Sequence, residues 1–323
     1  MKSLVLRLFG MAALTFSVCG AFAAEDEPIT PERMQRMMGH GFDVQWAEFA
    51  KKIAVYGEDE VIAMKEKGFR TARIRTALPA DERLFGALDR CINDCLTHGI
   101  IPVLAYNALA YEEEASEENL KASVAWWSAV ADRYKDYTHR LVFNLNIEWS
   151  GAVGRNQRAI DRFYEAVTAA VRETNPTRIL IYSPARLSNP EYLEEMTIPA
   201  SAGRYVMAEW HLYAAGPSKD PGSRKYWSVG TEEEKEAVRR VLDLGVAWQE
   251  KHGIPTWVGA WMPGNYNKGD EFTVEEQCAF ASFMKSELDE RRIPWAVNSL
   301  DKFYDIRNDC WYEEMLPLVE VLR

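Results

Sequence analysis

The run "RLVFNLNIE" (140–148) sets Phe143, Leu145 and Ile147 in alternation with Asn144, Asn146 and Glu148. Alternation with a period of two marks a strand with one apolar face. This strand carries a carboxylate at its far end. Seven further runs have the same short, apolar, β-branched character: "GFDVQW" (41–46), "RTARIRT" (70–76), "IIPVLAYN" (100–107), "RILIYS" (178–183), "YVMAEWHLY" (205–213), "PTWVGAW" (255–261) and "IPWAVNS" (293–299). Between them lie amphipathic stretches with apolar residues three and four apart, as in 118–137 and 159–175. The stretch 231–253 opens on Thr231 and a run of acids, as helix N-termini do.

Strands alternating with helices predict an α/β protein, a (β/α)8 TIM barrel formed as a single domain. The rival is an open doubly wound sheet. No glycine-rich turn follows the first strand, which counts against its nucleotide-binding form.

The composition is that of a globular chain: 323 residues, 47% apolar and 27% charged, enough to fill a large core. Residues 1–24 read as a Sec-type signal peptide, with Lys2 and Arg7, an apolar run, and Ala21-Phe22-Ala23 before the expected cut near Ala23 or Ala24. The barrel is then residues 25–323, and the product is secreted or periplasmic. The mature chain has 36 bases against 49 acids, a net charge of −13. That charge argues against nucleic acid or an anionic membrane as a partner. It also disfavours a strongly anionic substrate unless the site is locally basic. Four mature cysteines stay behind, of which Cys278 and Cys310 are the plausible disulfide. No histidine stands near a cysteine at zinc spacing, so no metal and no cofactor is expected.

Barrel active sites lie at the C-terminal ends of the strands. Those ends carry Arg73 and Arg75, Tyr106 and Asn107, Asn146, Glu148 and Trp149, then "VGAWMPG" (258–264) and Asn298. Glu209, His211 and Tyr213 alternate, so they share one face of the sixth strand. Among the histidines, only His211 falls at a strand C-terminus. Glu209 sits deeper and reads as a buried acid paired with Arg73 or Arg75. The 11 tryptophans read as core packing or as platforms for sugar rings.

These residues resemble the cellulase family, glycoside hydrolase family 5, across essentially the whole mature length. "MKEKGFRTARIRT" resembles its second helix and strand, ending in the family arginine at Arg73. "RYKDYTHRLVFNLNIEW" resembles the run into its Asn-Glu-Pro motif. "EWHLYAAGPS" resembles its His-x-Tyr strand at His211 and Tyr213. The resemblance implies a (β/α)8 barrel acting on β-linked glucans or mannans, with Glu148 as acid/base. It also carries departures. Ile147 and Trp149 flank Glu148 in place of asparagine and proline, and Ala260 stands at the nucleophile position. Asn107 and Ala108 replace paired histidines, and Asn298 replaces a stacking tryptophan.

Retaining hydrolysis needs two carboxylates about 5–5.5 Å apart. The first expectation is therefore a glycoside hydrolase with altered machinery. Glu148 would be a general acid, its pKa raised by an apolar setting beside Ile147 and Trp149. Glu209, Asp301 or Asp305 would supply the second carboxylate, with Tyr213 a remoter nucleophile. The alternatives are a polysaccharide lyase using His211, Tyr213 and Tyr106, or a non-catalytic glycan binder. Glu148, His211, Tyr213 and Glu209 are the catalytic candidates. Arg73, Asn107, Trp149, Trp261 and Asn298 are the substrate-binding candidates, and the partner is a polysaccharide or oligosaccharide.

Overall fold

The computed structural model describes residues 27–214, 226–264 and 271–323. Eight strands run β1 His40–Val44, β2 Thr71–Thr76, β3 Ile101–Tyr106, β4 Val142–Asn144, β5 Leu180–Tyr182, β6 Val206–Leu212, β7 Thr256–Trp261 and β8 Trp295–Val297. Each pairs in parallel with the next, and β8 returns to β1, so the sheet is a closed barrel in sequence order. The fold expected from the sequence is the fold observed. The expected helices stand at Glu117–Arg133, Gln157–Thr174 and Glu232–His252. Thr231 and Glu234 form a reciprocal capping box at the start of the last of these.

The strand β4 departs most from its sequence reading. β4 ends at Asn144, not at 148. The Asn146 side chain is the cause. Its carbonyl accepts from the Ala108 amide at 2.9 Å, and its amide donates to Glu112 at 3.0 Å and to the Ile147 carbonyl at 2.7 Å. The segment 145–149 is thereby tied to the loop after β3 and leaves the regular ladder.

The barrel floor is sealed by α1 (Pro31–Met38). Met34 and Met38 pack with Val103, Val142, Ile181, Met207 and Trp257 in one apolar cluster. Gln35 fastens the helix by donating to the Thr256 carbonyl at 2.8 Å.

The tryptophans are core residues. Trp127, Trp149, Trp210, Trp257, Trp261 and Trp295 are all fully buried. Cys278 lies half-buried on the helix Val274–Glu290 and Cys310 lies exposed in the hairpin Tyr304–Asp305/Cys310–Trp311, and both are unpaired. The expected bridge between them is absent, because each cysteine sits on its own element with no sulfur partner.

Candidate active site

A chain of charges runs from the barrel interior to the cleft. It starts at Asp43 on β1, whose carboxylate grips Arg73 of β2 through both oxygens, with Nη2 to Oδ2 at 2.6 Å. Arg73 Nη1 then donates to Glu209 Oε2 at 2.9 Å. The second Glu209 oxygen accepts from the Ser183 hydroxyl at 2.5 Å. His211 Nε2 lies 3.1 Å from Arg73 Nη1 and 3.7 Å from Glu209 Oε2. Its Nδ1 meets Glu148 Oε1 at 2.7 Å. Asp43, Arg73 and Glu209 are buried, and so is His211, whereas the Glu148 side chain is 34% exposed. Glu148 is thus the outward end of an otherwise closed network.

β7 makes room for this arrangement. A Cβ placed on Gly259 would run into Glu209 Oε2 and crowd Arg73 Nη1. Glycine at 259 is therefore required by the Glu209 carboxylate that crosses in from β6. A register shift between Trp210 and His211, against β7, accompanies the crossing.

The protonation states follow from these contacts. Burial works to raise the Glu148 pKa, but the hydrogen bond and charge of His211, helped by Arg73, hold it below the usual carboxylate value. Burial opposes charge on His211, yet Glu148 and Glu209 outweigh it and raise its pKa. Glu209 is held down at about 2 because Arg73 and His211 overcome its desolvation. Burial pushes Tyr213 well above 10, with Glu148 and Asp43 adding to the effect. Glu148 is therefore a carboxylate at neutral pH, and because Arg73 can only donate to His211 Nε2, the Nδ1–H of His211 is the donor to Glu148.

Several sequence expectations are corrected by this geometry. Glu148 lacks the raised pKa of a resting general acid, because His211 and Arg73 outweigh its burial. Trp149 turns away into the core. There Trp149 donates to Tyr164 at 2.9 Å and packs on Phe163. Neither Trp149 nor Trp261 is available to stack on a sugar, since Trp261 is enclosed by Phe280 and Trp295. Glu209 is a buried partner of Arg73, as its depth in the strand suggested, and not a cleft nucleophile. Asp301 is held by Lys52 and Ser299, and Asp305 caps the turn at Arg307 and Asn308, so neither stands in the cleft. Tyr213 is un-ionised, and Asn298 orients it by donating to its hydroxyl at 3.1 Å. Tyr106 is spent in a stack on Trp126, 4.0 Å between ring centroids. Asn107 is half-buried beside β3, and its amide closes on the Thr76 carbonyl at 2.9 Å. Ala260 is fully buried on β7.

The cleft itself is a cavity of about 580 Å³. His211, Leu212 and Tyr213 form one wall, Ser150 and Gly151 another, and Arg155, Arg186 and Leu187 the mouth. The loop wall expected at 213–230 falls largely outside the described residues. Sequence reasoning missed Asp43 and Ser183, though an acid within the apolar run "GFDVQW" was a usable signal. It also missed Arg155 and Arg186, which lie in loops where no periodicity points to them.

The fold is a closed eight-stranded parallel barrel, and sequence comparison names the family. The model of the cellulase family, glycosyl hydrolase family 5, matches residues 37–301. The chain belongs to that family. It is 23% identical over 262 residues to Endoglucanase H of Acetivibrio thermocellus, covering 73% of this chain and 27% of that protein. It is 27% identical over 210 residues to Cellulase/esterase CelE of the same organism, covering 56% of this chain and 25% of that one. The chain thus spans about a quarter of the length of these curated relatives. Among solved structures, endoglucanase Cel5A of Thermotoga maritima superposes with a TM-score of 0.79 at 21% identity, covering 91% of this chain and 100% of that one. The cellulose synthase subunit Z of Clostridioides difficile superposes with 0.74 at 20% identity, covering 88% and 99%. At these identities the superpositions speak for the fold.

Proposed function

We propose that this chain is a glycan-binding member of the cellulase family that takes a β-linked oligo- or polysaccharide without cleaving it by double displacement. The carrying observation is the state and solitude of Glu148. It is an ionised carboxylate hydrogen-bonded by His211, and no aspartate or glutamate lines the adjoining cavity among the described residues. Retention requires a protonated acid together with a nucleophilic carboxylate. Ala260 offers no such group, and Glu209 is locked behind Arg73. A cavity with a few fixed polar groups on an apolar lining suits binding of a sugar chain. Structures of the Thermotoga maritima Cel5A barrel are described with cellobiose and with mannotriose. These oligosaccharides are sensible first ligands.

One observation favours a second reading, an altered hydrolase. Glu148 keeps its acid/base place with partial exposure and a built support behind it. The same experiment separates the two. Titrate the protein with β-1,4-linked gluco- and manno-oligosaccharides and assay the mixtures for new reducing ends. Saturable binding with no new ends is the expected result. Reducing ends that disappear in Glu148→Gln would establish hydrolysis through Glu148. An ultraviolet-absorbing unsaturated product would mean elimination. No binding to any member of the panel would overturn the reading.

A further inference from the structure

The charge of the cleft runs against the charge of the protein. The chain carries a formal net charge of −11. Yet the ionisable side chains lining the cavity, among the described residues, are Arg155, Arg186, His211 and two tyrosines, with no carboxylate. His211 is engaged by Glu148 at 2.7 Å, and the two arginines are the lining cations without a carboxylate partner among the described residues. The neighbouring acids are already engaged. Glu112 accepts from Asn146 and Ser150, and Glu191 accepts from Asn189 at 3.2 Å.

Neither arginine has a carboxylate partner among the described residues. Arg155 ends the 3-10 turn Val153–Arg155 and is exposed. Arg186 is exposed too, with its guanidinium 4.7 Å from the centroid of the Tyr192 ring. The segments that bear them pack against each other, so both guanidinium groups serve one mouth. The backbone beneath Arg186 is costly to form. Arg186, Leu187 and Ser188 have φ of 56°, 61° and 54°, the left-handed region, without a glycine. L-residues adopt that region at a cost. Here it is fixed by the Leu187 amide donating to the Trp149 carbonyl at 3.0 Å, the residue next to Glu148. The turn brings Arg186 and Leu187 to the cavity mouth in place of a plain helical start.

We propose that the cleft selects anionic glycans, a β-linked chain whose sugars carry carboxylate groups, and that Arg155 and Arg186 are the specificity-determining pair. Guanidinium groups bind carboxylates through paired, charge-assisted hydrogen bonds. An acidic protein with a cationic mouth repels anions elsewhere and receives them there. This inference rests on the reading of the cleft as glycan-binding.

The test uses two ligands of one backbone. One is a β-1,4-linked glucose hexamer, and the other is the same hexamer with its C6 alcohols oxidised to carboxylates. Measure both affinities by titration calorimetry at low and high salt. The oxidised hexamer is expected to bind about tenfold tighter at low salt. That ratio should shrink with added salt as screening sets in. It should fall to near one in Arg155→Ala/Arg186→Ala and be largely kept in Arg155→Lys/Arg186→Lys. Equal affinities in the native protein would sink the inference while leaving glycan binding intact, and so would a preference that survives the alanine pair. If neither hexamer binds, the glycan reading falls with it.

Discussion

Replacing Glu209 by glutamine tests the network that supports Glu148. The change keeps the shape and the Ser183 contact but removes the charge facing Arg73. Folding lowers the Glu209 pKa from 4.5 to about 2. Each tenfold in proton affinity is worth about 1.4 kcal/mol, so the ionised group contributes on the order of 3 kcal/mol at neutral pH. The sign follows from the depressed value. This stability is fully present above about pH 4.5 and is lost as pH falls towards 2. Glu209→Gln should therefore cost on the order of 3 kcal/mol at pH 7, matching the roughly 3–5 kcal/mol typical of breaking a buried pair. By about pH 3 the cost should shrink by more than half. Urea unfolding followed by tryptophan fluorescence, at both pH values, measures the difference. A cost below about 1 kcal/mol at pH 7, or one that does not change with pH, would refute the argument. The variant should also lower the His211 pKa, readable from its imidazole NMR shifts.

Three other outcomes follow from the same contacts. Glu60 is buried with one oxygen on the Trp46 indole, and its pKa is raised to about 7, chiefly by burial. A raised acid destabilises as pH climbs from about 4.5 to 7, so Glu60→Gln should stabilise at pH 8 by up to about 3 kcal/mol and do little at pH 4. Equal melting shifts at both pH values would count against it. Trp149→Ala should cost about 3–5 kcal/mol through loss of core packing. A variant that keeps full stability but loses ligand affinity would restore Trp149 as a sugar platform. Gly259→Ala should destabilise by displacing Glu209, and an unchanged urea midpoint would show that the carboxylate has room to move.

The barrel was legible because it is written in local patterns. All eight strands carry the short apolar runs that mark them, and the helices between them carry their caps. The site was legible only in part. Glu148, His211 and Tyr213 were found by position at strand ends, and the depth of Glu209 in its strand pointed to its pairing with Arg73. What failed was direction. Past Asn144 the chain leaves the pleat, so strand alternation no longer tells which way Trp149 points. Its burial depends on Tyr164 and Phe163, which sequence spacing does not connect to it. The sign of the Glu148 pKa was misjudged for the same reason. It is set by a histidine 63 positions away, not by the apolar neighbours in sequence. The arginines of the mouth sit in irregular backbone, which periodicity does not reach.

The α1 plug has a consequence for display. It closes the floor of the barrel, and β1 begins at His40 directly after it. The polypeptide therefore enters the described fold at the face opposite the cleft. A tether, bead or partner module fused ahead of Pro31 would hold the barrel by its floor and turn the cleft outward, towards whatever chain passes in solution.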